Sequence, residues 1–449
     1  MAKDWAKLAG ERGKKVEKGR IRRALKLGGL ATRVGGSMLK AQIGRISGRN
    51  PEENLDAMAS AAVENAQRIV DVMGQMKGAA MKIGQILSSD PDMIDPDFAE
   101  RLATLQREAP PMDFVTLSAQ IERGLDRPID AVFKFFDPEP LGAASIGQVH
   151  RATLFDGREV AVKVQYPGVA ESLESDLQNM ATLIKLGRVF MSKERADAFV
   201  AEARDALLRE TDYVQEAENL ARFRALFADR PGIRVPAPIT EWVRPTVMVM
   251  EFIDGQPFDD AVNAIEDPAE RDRLATHFVD TFVHMFHELH VLHADPHPGN
   301  FFLDDDHNLV LLDFGCVREF RPEVTDAVLH MLDAYWEGDV PRLIRVAQDI
   351  GFGRDGTPAP EPEIFSEYLD MILEPLSEYG AFRFADFKVH GRVRTFLRGH
   401  LSMVRFVPPA ELLMYFRVLA GMKGMMTRTD AAVDLRRMAQ GYCERRGIR

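Results

Sequence analysis

Near residue 300 the chain reads "HADPHPGNFFLDDDHNLVLLDFGCV", which sets Asp295 five residues ahead of Asn300 and continues to Asp313-Phe314-Gly315. A carboxylate and an amide oxygen converging on one point suit Mg²⁺, a hard cation that keeps its other positions for water and phosphate oxygens. The chemistry implied is phosphoryl transfer: Asn300 and Asp313 hold the metal, Asp295 faces the nucleophile, and Gly315 permits the turn behind the metal. A His- and Asp-rich turn can also do no more than satisfy itself. The five-residue step together with the downstream Asp-Phe-Gly argues against that. His293, Asp295 and His297 suggest zinc, but no fourth ligand stands at a recognisable spacing.

A second candidate lies upstream. "REVAVKV" puts Lys163 on a strand inside an apolar run, where an unpaired ammonium would be costly. Kinase-type folds place a phosphate-gripping lysine on such a strand and pair it with a helix glutamate. A strand lysine with its head in solvent is the plainer reading. Candidate partners occur in "LLRETDYVQEAENL": Glu210, Asp212 and Glu216. Asp212, Glu216 and Asn219 share one helix face, and the sequence does not choose between Glu210 and Glu216. Before Lys163, "PLGAASIGQVH" offers Gly142, Ala143, Ala144 and Ser145. Their small side chains let backbone N–H groups approach phosphates, although alanine restricts positive φ, and the segment can equally be a tight turn. Further upstream, Met73, Met76, Ala80, Ile83 and Leu87 make one helix face. Lys82 and Gln85 share another, among Gly78, Ala79, Ala80 and Gly84.

The elements that must position these groups follow from periodicity. A basic arm covers 1–50, and a helical N-terminal extension 51–130, with short helices at 97–107 and 115–125. A small lobe spans 131–255: alternating strands "SIGQVHRATL" and "REVAVKV" joined at Asp156-Gly157, helices near 169–190 and 194–225, then strands in "IRVPAPI" and "TVMVMEFI". From 256 to 449 the chain reads as mainly helical, interrupted by a strand–turn–strand in "NFFLDDDHNLVLLDFG". The fold class is α+β, two-lobed and kinase-like. Met-rich "ELLMYFRVLAGMKGMM" near the C-terminus reads as buried core rather than a lipid-facing surface.

Composition narrows the setting. Apolar residues make up 46% of 449 and charged residues 28%, ordinary values for a globular protein. Two cysteines, Cys316 and Cys443, give no disulfide framework, which points to a reducing compartment. No apolar run reaches the ~20 residues of a spanning helix, and the first residues lack the apolar core of a secretory signal. Net charge is −12, yet residues 1–50 hold fourteen Lys/Arg against three Asp/Glu, a local +11 that leaves −23 on the rest. An acidic body argues against nucleic acid as a partner. Within the arm, Leu27, Leu30, Val34, Met38 and Ala41 fall on one helical face flanked by Arg22, Arg23, Lys26, Arg33 and Lys40. That pattern suits an interfacial helix on an anionic membrane surface, although Gly28, Gly29, Gly35 and Gly36 lower its helicity.

Together these pieces resemble the UbiB family of atypical kinases, the ADCK-type proteins linked to ubiquinone and other isoprenoid-quinone biosynthesis. The matching features are Lys82-Ile83-Gly84-Gln85, "GAASIGQVH", the "VAVK" ending at Lys163, Glu210-Thr211-Asp212, "HADPHPGN" and Asp-Phe-Gly. One residue departs: Gly142 stands where the family commonly has alanine. The resemblance implies that the helical extension carries its Lys-x-Gly-Gln motif across the peptide site of an ordinary protein kinase, with Lys82 and Gln85 pointing into the active site. It implies Mg²⁺ and ATP as cofactors, bound between the lobes. Met250, Glu251, Phe252 and Ile253 would be the strand-to-linker segment at the adenine, with Met250 at the back of the pocket. Implied partners are a quinone precursor or other lipid, a membrane surface and quinone-biosynthesis enzymes. The implied location is cytoplasmic and peripheral to the inner membrane, if the source is bacterial. A true protein or small-molecule kinase is the alternative, since "H-x-D-x-H-x-x-N" also resembles aminoglycoside phosphotransferases, as is a nucleotide-gated lipid-binding scaffold without catalysis.

Overall fold

Among the described residues the first helix is α1 (Phe114–Leu125), which Asp113 begins by accepting the Thr116 N–H at 2.9 Å and the Thr116 hydroxyl at 2.8 Å. The computed structural model describes residues 112–144, 146–169, 204, 208–353, 357–400 and 403–448. The basic arm, the Lys82–Gln85 helix, the helix expected at 97–107 and nearly all of that at 169–190 lie outside the described residues, as does Ser145. The chain divides into two units, the first reaching Ala221 and taking in Ala237–Phe252, the second formed by Arg222–Pro236 and Ile253–Arg449.

The first unit is built on an antiparallel sheet in the order β1-β2-β3-β5, where β1 is Phe133–Ala144, β2 Gly147–Leu154, β3 Glu159–Gln165 and β5 Val247–Glu251. The Asp156-Gly157 turn joins β2 to β3, with Gly157 at φ +91°, a left-handed conformation that glycine adopts without penalty. β1 was not legible as a strand because Pro138 and Pro140 interrupt it; it occupies the sheet edge with three register shifts, where a missing N–H costs no ladder bond. β3 is buried from Val160 to Gln165, on both faces, as its continuous apolar run requires. α1 packs close to β5: a Cβ at Gly124 would lie 2.7 Å from Val247 Cγ2.

The helix expected at 194–225 is interrupted in its described part. Leu208–Glu210 are helical, Thr211 and Asp212 are not, and α2 (Tyr213–Leu226) starts anew. Asp212 supplies the cause, since its carboxylate accepts the N–H groups of Val214 and Gln215 at 3.1 Å, and a side-chain cap marks a helix start.

The second unit has a mixed sheet in the order β4-β9-β8-β6 (Ile233–Arg234, Leu309–Leu311, Phe301–Leu303, Gln256–Pro257) and a separate pair, β7 (Val291–His293) with β10 (Val317–Glu319). Helix α3 (Phe258–Ala264) precedes the long α4 (Pro268–His287), which Asp267 caps. Phe278, Phe282 and Phe286, on one face of α4, are fully buried, and Phe301 meets Phe278 edge-on at 5.3 Å. Helices α5 (Pro322–Trp336), α6 (Val340–Asp349), α7 (Pro362–Ile372), α8 (Val389–Gly399), α9 (Ala410–Met426) and α10 (Leu435–Arg445) follow. A small pair, β11 (Phe382–Arg383) with β12 (Ala432–Val433), had no signal in the sequence. The Met-rich segment is α9, with Met422, Met425 and Met426 buried but Leu413 and Phe416 exposed. Among the described residues no helix is long and apolar enough to cross a membrane.

Candidate active site

Lys163 has no solvent route along a strand buried on both faces, and its ammonium meets a carboxylate instead. Nζ stands 2.6 and 2.9 Å from the two oxygens of Glu216, with Lys163 6% and Glu216 3% exposed. Glu216 lies in the first turn of α2, so the Asp212 cap sets where the carboxylate points. Gln165, two residues along β3, donates to the carbonyls of Thr211 at 2.8 Å and Pro245 at 3.1 Å. That side chain ties the segment leading into α2 to the lysine's own strand, and sequence reasoning passed over it as one more polar strand residue. The ring of Tyr213 lies 5.1 Å from Nζ. Glu210 falls before the Asp212 cap, outside α2.

The segment expected as a phosphate loop is mostly ladder. Gly142 pairs with Val149, Ala143 with Gln148 and Ala144 with Gly147, so residues 142–144 belong to the strand. Gly142 is exposed, has no left-handed φ, and a Cβ there would touch nothing. Gly147 is different: a Cβ would stand 2.2 Å from the Val164 carbonyl oxygen. Behind the turn runs a buried polar chain. The Met112 N–H donates to Gln148 Oε1 at 2.9 Å, the Gln148 amide to His150 Nε2 at 2.7 Å, and His150 Nδ1–H to the Asp137 carbonyl at 2.8 Å. Burial pushes the His150 pKa down, which agrees with an imidazole that accepts at one nitrogen. This chain was missed because Gln148 and His150 looked like an ordinary strand alternation.

Met250 is buried and opposite Ala161 in the sheet; the next residue, Glu251, ends β5. The Glu251 N–H donates to the Ala237 carbonyl and the Phe252 N–H to that of Glu159. The guanidinium of Arg151 lies 4.5 Å above the Phe252 ring.

In the second unit, β7 leads into Asp295. His293 is fully buried; its Nε2 meets the Leu312 carbonyl at 3.1 Å and its Nδ1 the Asp295 N–H at 3.4 Å. A proton on Nε2 serves both contacts, so His293 ties the strand before Asp313 to the Asp295 loop. The Asn300 amide donates to the Asp295 carbonyl at 3.0 Å, and the Leu312 N–H to the Asn300 carbonyl at 2.8 Å. Asp313 adopts φ +55°, a strained region for a non-glycine residue that costs on the order of 1–3 kcal/mol and gathers at functional sites. Its Oδ1 accepts the Gly315 N–H at 3.2 Å. Phe314 is buried between His293 at 5.2 Å and Phe223 at 4.6 Å.

These residues fit a Mg²⁺ ion. Holding the Asn300 nitrogen on a carbonyl leaves Oδ1 as the end that can ligate, and Asp313 adds a carboxylate. Two protein oxygens are the complement expected for a cation that retains water and phosphate. Among the described residues no three His, Cys, Asp or Glu side chains cluster for a metal.

Comparison with known proteins bears on this arrangement. Residues 104–347 match the family model described as "ABC1 atypical kinase-like domain". The chain is 31% identical over 395 residues to "Atypical kinase coq-8, mitochondrial" of Caenorhabditis elegans, covering 87% of this chain and 52% of that one. It is 31% identical over 434 residues to "Atypical kinase COQ8B, mitochondrial" of Rattus norvegicus, covering 96% and 81%. The chain thus spans about half the length of the nematode relative. Among solved structures, the Rv3197–erythromycin complex from Mycobacterium tuberculosis superposes with a TM-score of 0.60 at 27% identity, covering 86% of this chain and 97% of that one. The fold is therefore the kinase-like α+β class expected from the motifs, and the chain belongs to the ABC1 atypical kinase-like (UbiB) family.

Proposed function

We propose that this chain is a Mg²⁺-dependent ATPase of the atypical-kinase type that supports isoprenoid-quinone lipid synthesis at a membrane. The buried Lys163–Glu216 pair carries the reading. Two charges are removed from water at a cost of several kcal/mol, and an ammonium so held is a fixed donor for nucleotide phosphates. Lys163 orients the phosphates, Asn300 and Asp313 hold the metal, and Asp295 accepts a hydrogen bond from the attacking water and orients it toward the γ-phosphorus. The P–O bond to the leaving diphosphate breaks as the new bond forms, giving ADP and phosphate. Mg²⁺ supplies neutralisation of the phosphate charge. The motif resemblance assigns adenine to the backbone of Met250–Ile253 and the phosphates to the segment that begins at Gly142. The motif resemblance implies that Lys82 and Gln85 cover the site against a peptide, which leaves water or a small lipid as the acceptor. The quinone link rests on the motif resemblance, and membrane attachment on the basic arm of residues 1–50.

The test is phosphate release from Mg-ATP by the full chain, its Asp295→Asn variant and a chain starting at Asn54, each with and without anionic liposomes and a phenolic quinone precursor. Turnover by the full chain, lost in Asp295→Asn and raised by liposomes only when the arm is present, supports the reading. No turnover under any condition overturns it.

A further inference from the structure

α9 is apolar on nearly every side, with Leu412, Tyr415, Val418 and Met422 buried along it. Glycine inside a helix forgoes stability relative to alanine, yet Gly421 stands in its middle with no left-handed backbone to require it. Space supplies the reason. A Cβ on Gly421 would lie 2.4 Å from Cγ of Pro296 and 3.3 Å from both its Cβ and its carbonyl oxygen. Pro296 directly follows Asp295; a flip of its ring pucker can shift Cγ but leaves the contacts to its Cβ and carbonyl oxygen, because the ring fixes the backbone that carries them. Hydrogen bonds hold the same turn from within, since both the His297 N–H and the Asn300 amide donate to the Asp295 carbonyl. The helix is pinned as well: Tyr415 stacks on Phe286 of α4, centroids 3.7 Å apart and planes 13° from parallel. Neither partner can withdraw cheaply.

We propose that Gly421 is a positioning residue for Asp295: bare helix backbone at this point is the seat on which Pro296 fixes the Asp295 loop. The proposal rests on the reading of Asp295 as the residue that orients the nucleophile. A side chain at 421 would move the loop, and misplacement by about 1 Å can cost a reaction on the order of 100-fold. Gly424, three residues on, provides the control, because a Cβ there would meet nothing.

The experiment compares the full chain with Gly421→Ala, Gly424→Ala, Pro296→Ala and the Gly421→Ala/Pro296→Ala double variant. Two readouts are taken: amide hydrogen exchange at His297 and Asn300, and kcat and KM for Mg-ATP. Gly421→Ala is expected to speed exchange at those amides about tenfold and to lower kcat about tenfold or more, with KM changed less than about twofold. In the Pro296→Ala background, which lacks the clashing Cγ, the same substitution should add little, and Gly424→Ala should match the parent. Parental exchange and kcat in Gly421→Ala, or equal losses in both backgrounds, would overturn the proposal. Should Gly421→Ala not fold, a folded double variant with protected amides supports it and an unfolded one refutes it. A parent without turnover defeats the phosphoryl-transfer reading, while the exchange arm still decides whether Gly421 sets the loop.

Discussion

The side-chain amide of Asn300 donates to the backbone carbonyl of Asp295 at 3.0 Å, closing the Asp295 turn and leaving the amide oxygen as the end that would meet the proposed metal. Asn300→Asp keeps a metal-ligating oxygen but replaces the donor with an oxygen that repels the carbonyl. The Asp295 carbonyl keeps its hydrogen bond from the His297 N–H, so the loss is that of one hydrogen bond, about 1 kcal/mol, plus the oxygen–oxygen repulsion. The variant is therefore expected to show a lower denaturation midpoint and weaker Mg-ATP binding than the parent. A variant with parental stability would mean that the amide contact contributes nothing.

Breaking the buried pair should be far more damaging than removing it whole. Glu216→Gln leaves the Lys163 ammonium without its counter-charge, at a cost of roughly 3–5 kcal/mol. Lys163→Met with Glu216→Leu removes both charges and should recover most of that loss, although it abolishes the proposed phosphate contact. Urea denaturation of Lys163→Met, Glu216→Leu and their double variant gives the coupling; simple additivity would contradict the paired geometry.

Gly142 and Gly147 should respond oppositely to alanine. Gly142→Ala places a Cβ in open space on an edge strand and restricts the unfolded chain, so stability should hold or rise by up to about 1 kcal/mol. Gly147→Ala drives a Cβ into the Val164 carbonyl at 2.2 Å and should cost about 2 kcal/mol or more, in the range of overpacked cores. Thermal melting of the two variants decides it, and equal melting points would contradict the register of β2 on β3.

Acid should destabilise the protein through histidines. Burial pushes the His287 pKa down to about 3, and that of His150 down as well. An unfolded histidine takes up a proton near 6.5 while the folded one does not, so the unfolded state binds more protons and stability rises with pH across this window. The contribution is intact above about 6.5 and is lost as pH falls toward about 3. His287 alone accounts for about 2 kcal/mol by pH 5. Denaturation midpoints from pH 7 to 5 should therefore fall, and His287→Phe should flatten the slope. An unchanged slope in that variant would remove His287 as its source.

Much of this was legible in the sequence where a rule of spacing or burial applies. The apolar strand run marked Lys163 as a cation in need of a partner, and the structure supplies Glu216; the five-residue step from Asp295 to Asn300 marked a turn that the Asn300 amide closes. The choice between Glu210 and Glu216 was not legible, since both lie in residues of helical pattern and only the Asp212 cap shows which is inside α2. β1 stayed hidden because its prolines argue against a strand until its edge position is known. The Gly421–Pro296 contact joins residues distant in the chain, and a glycine in an apolar helix gives no sign of what it faces.

The measurement that bears most directly on the account is Mg-ATP affinity, with Mg²⁺ and with chelator, for the full chain and Asp313→Asn by thermal-shift titration. In the proposed function Asp313 provides the carboxylate charge opposing the metal, so the account predicts Mg²⁺-dependent binding in the parent and a loss on the order of tenfold or more in the variant. Equal Mg-ATP affinity in parent and variant, or binding indifferent to chelator, would contradict it.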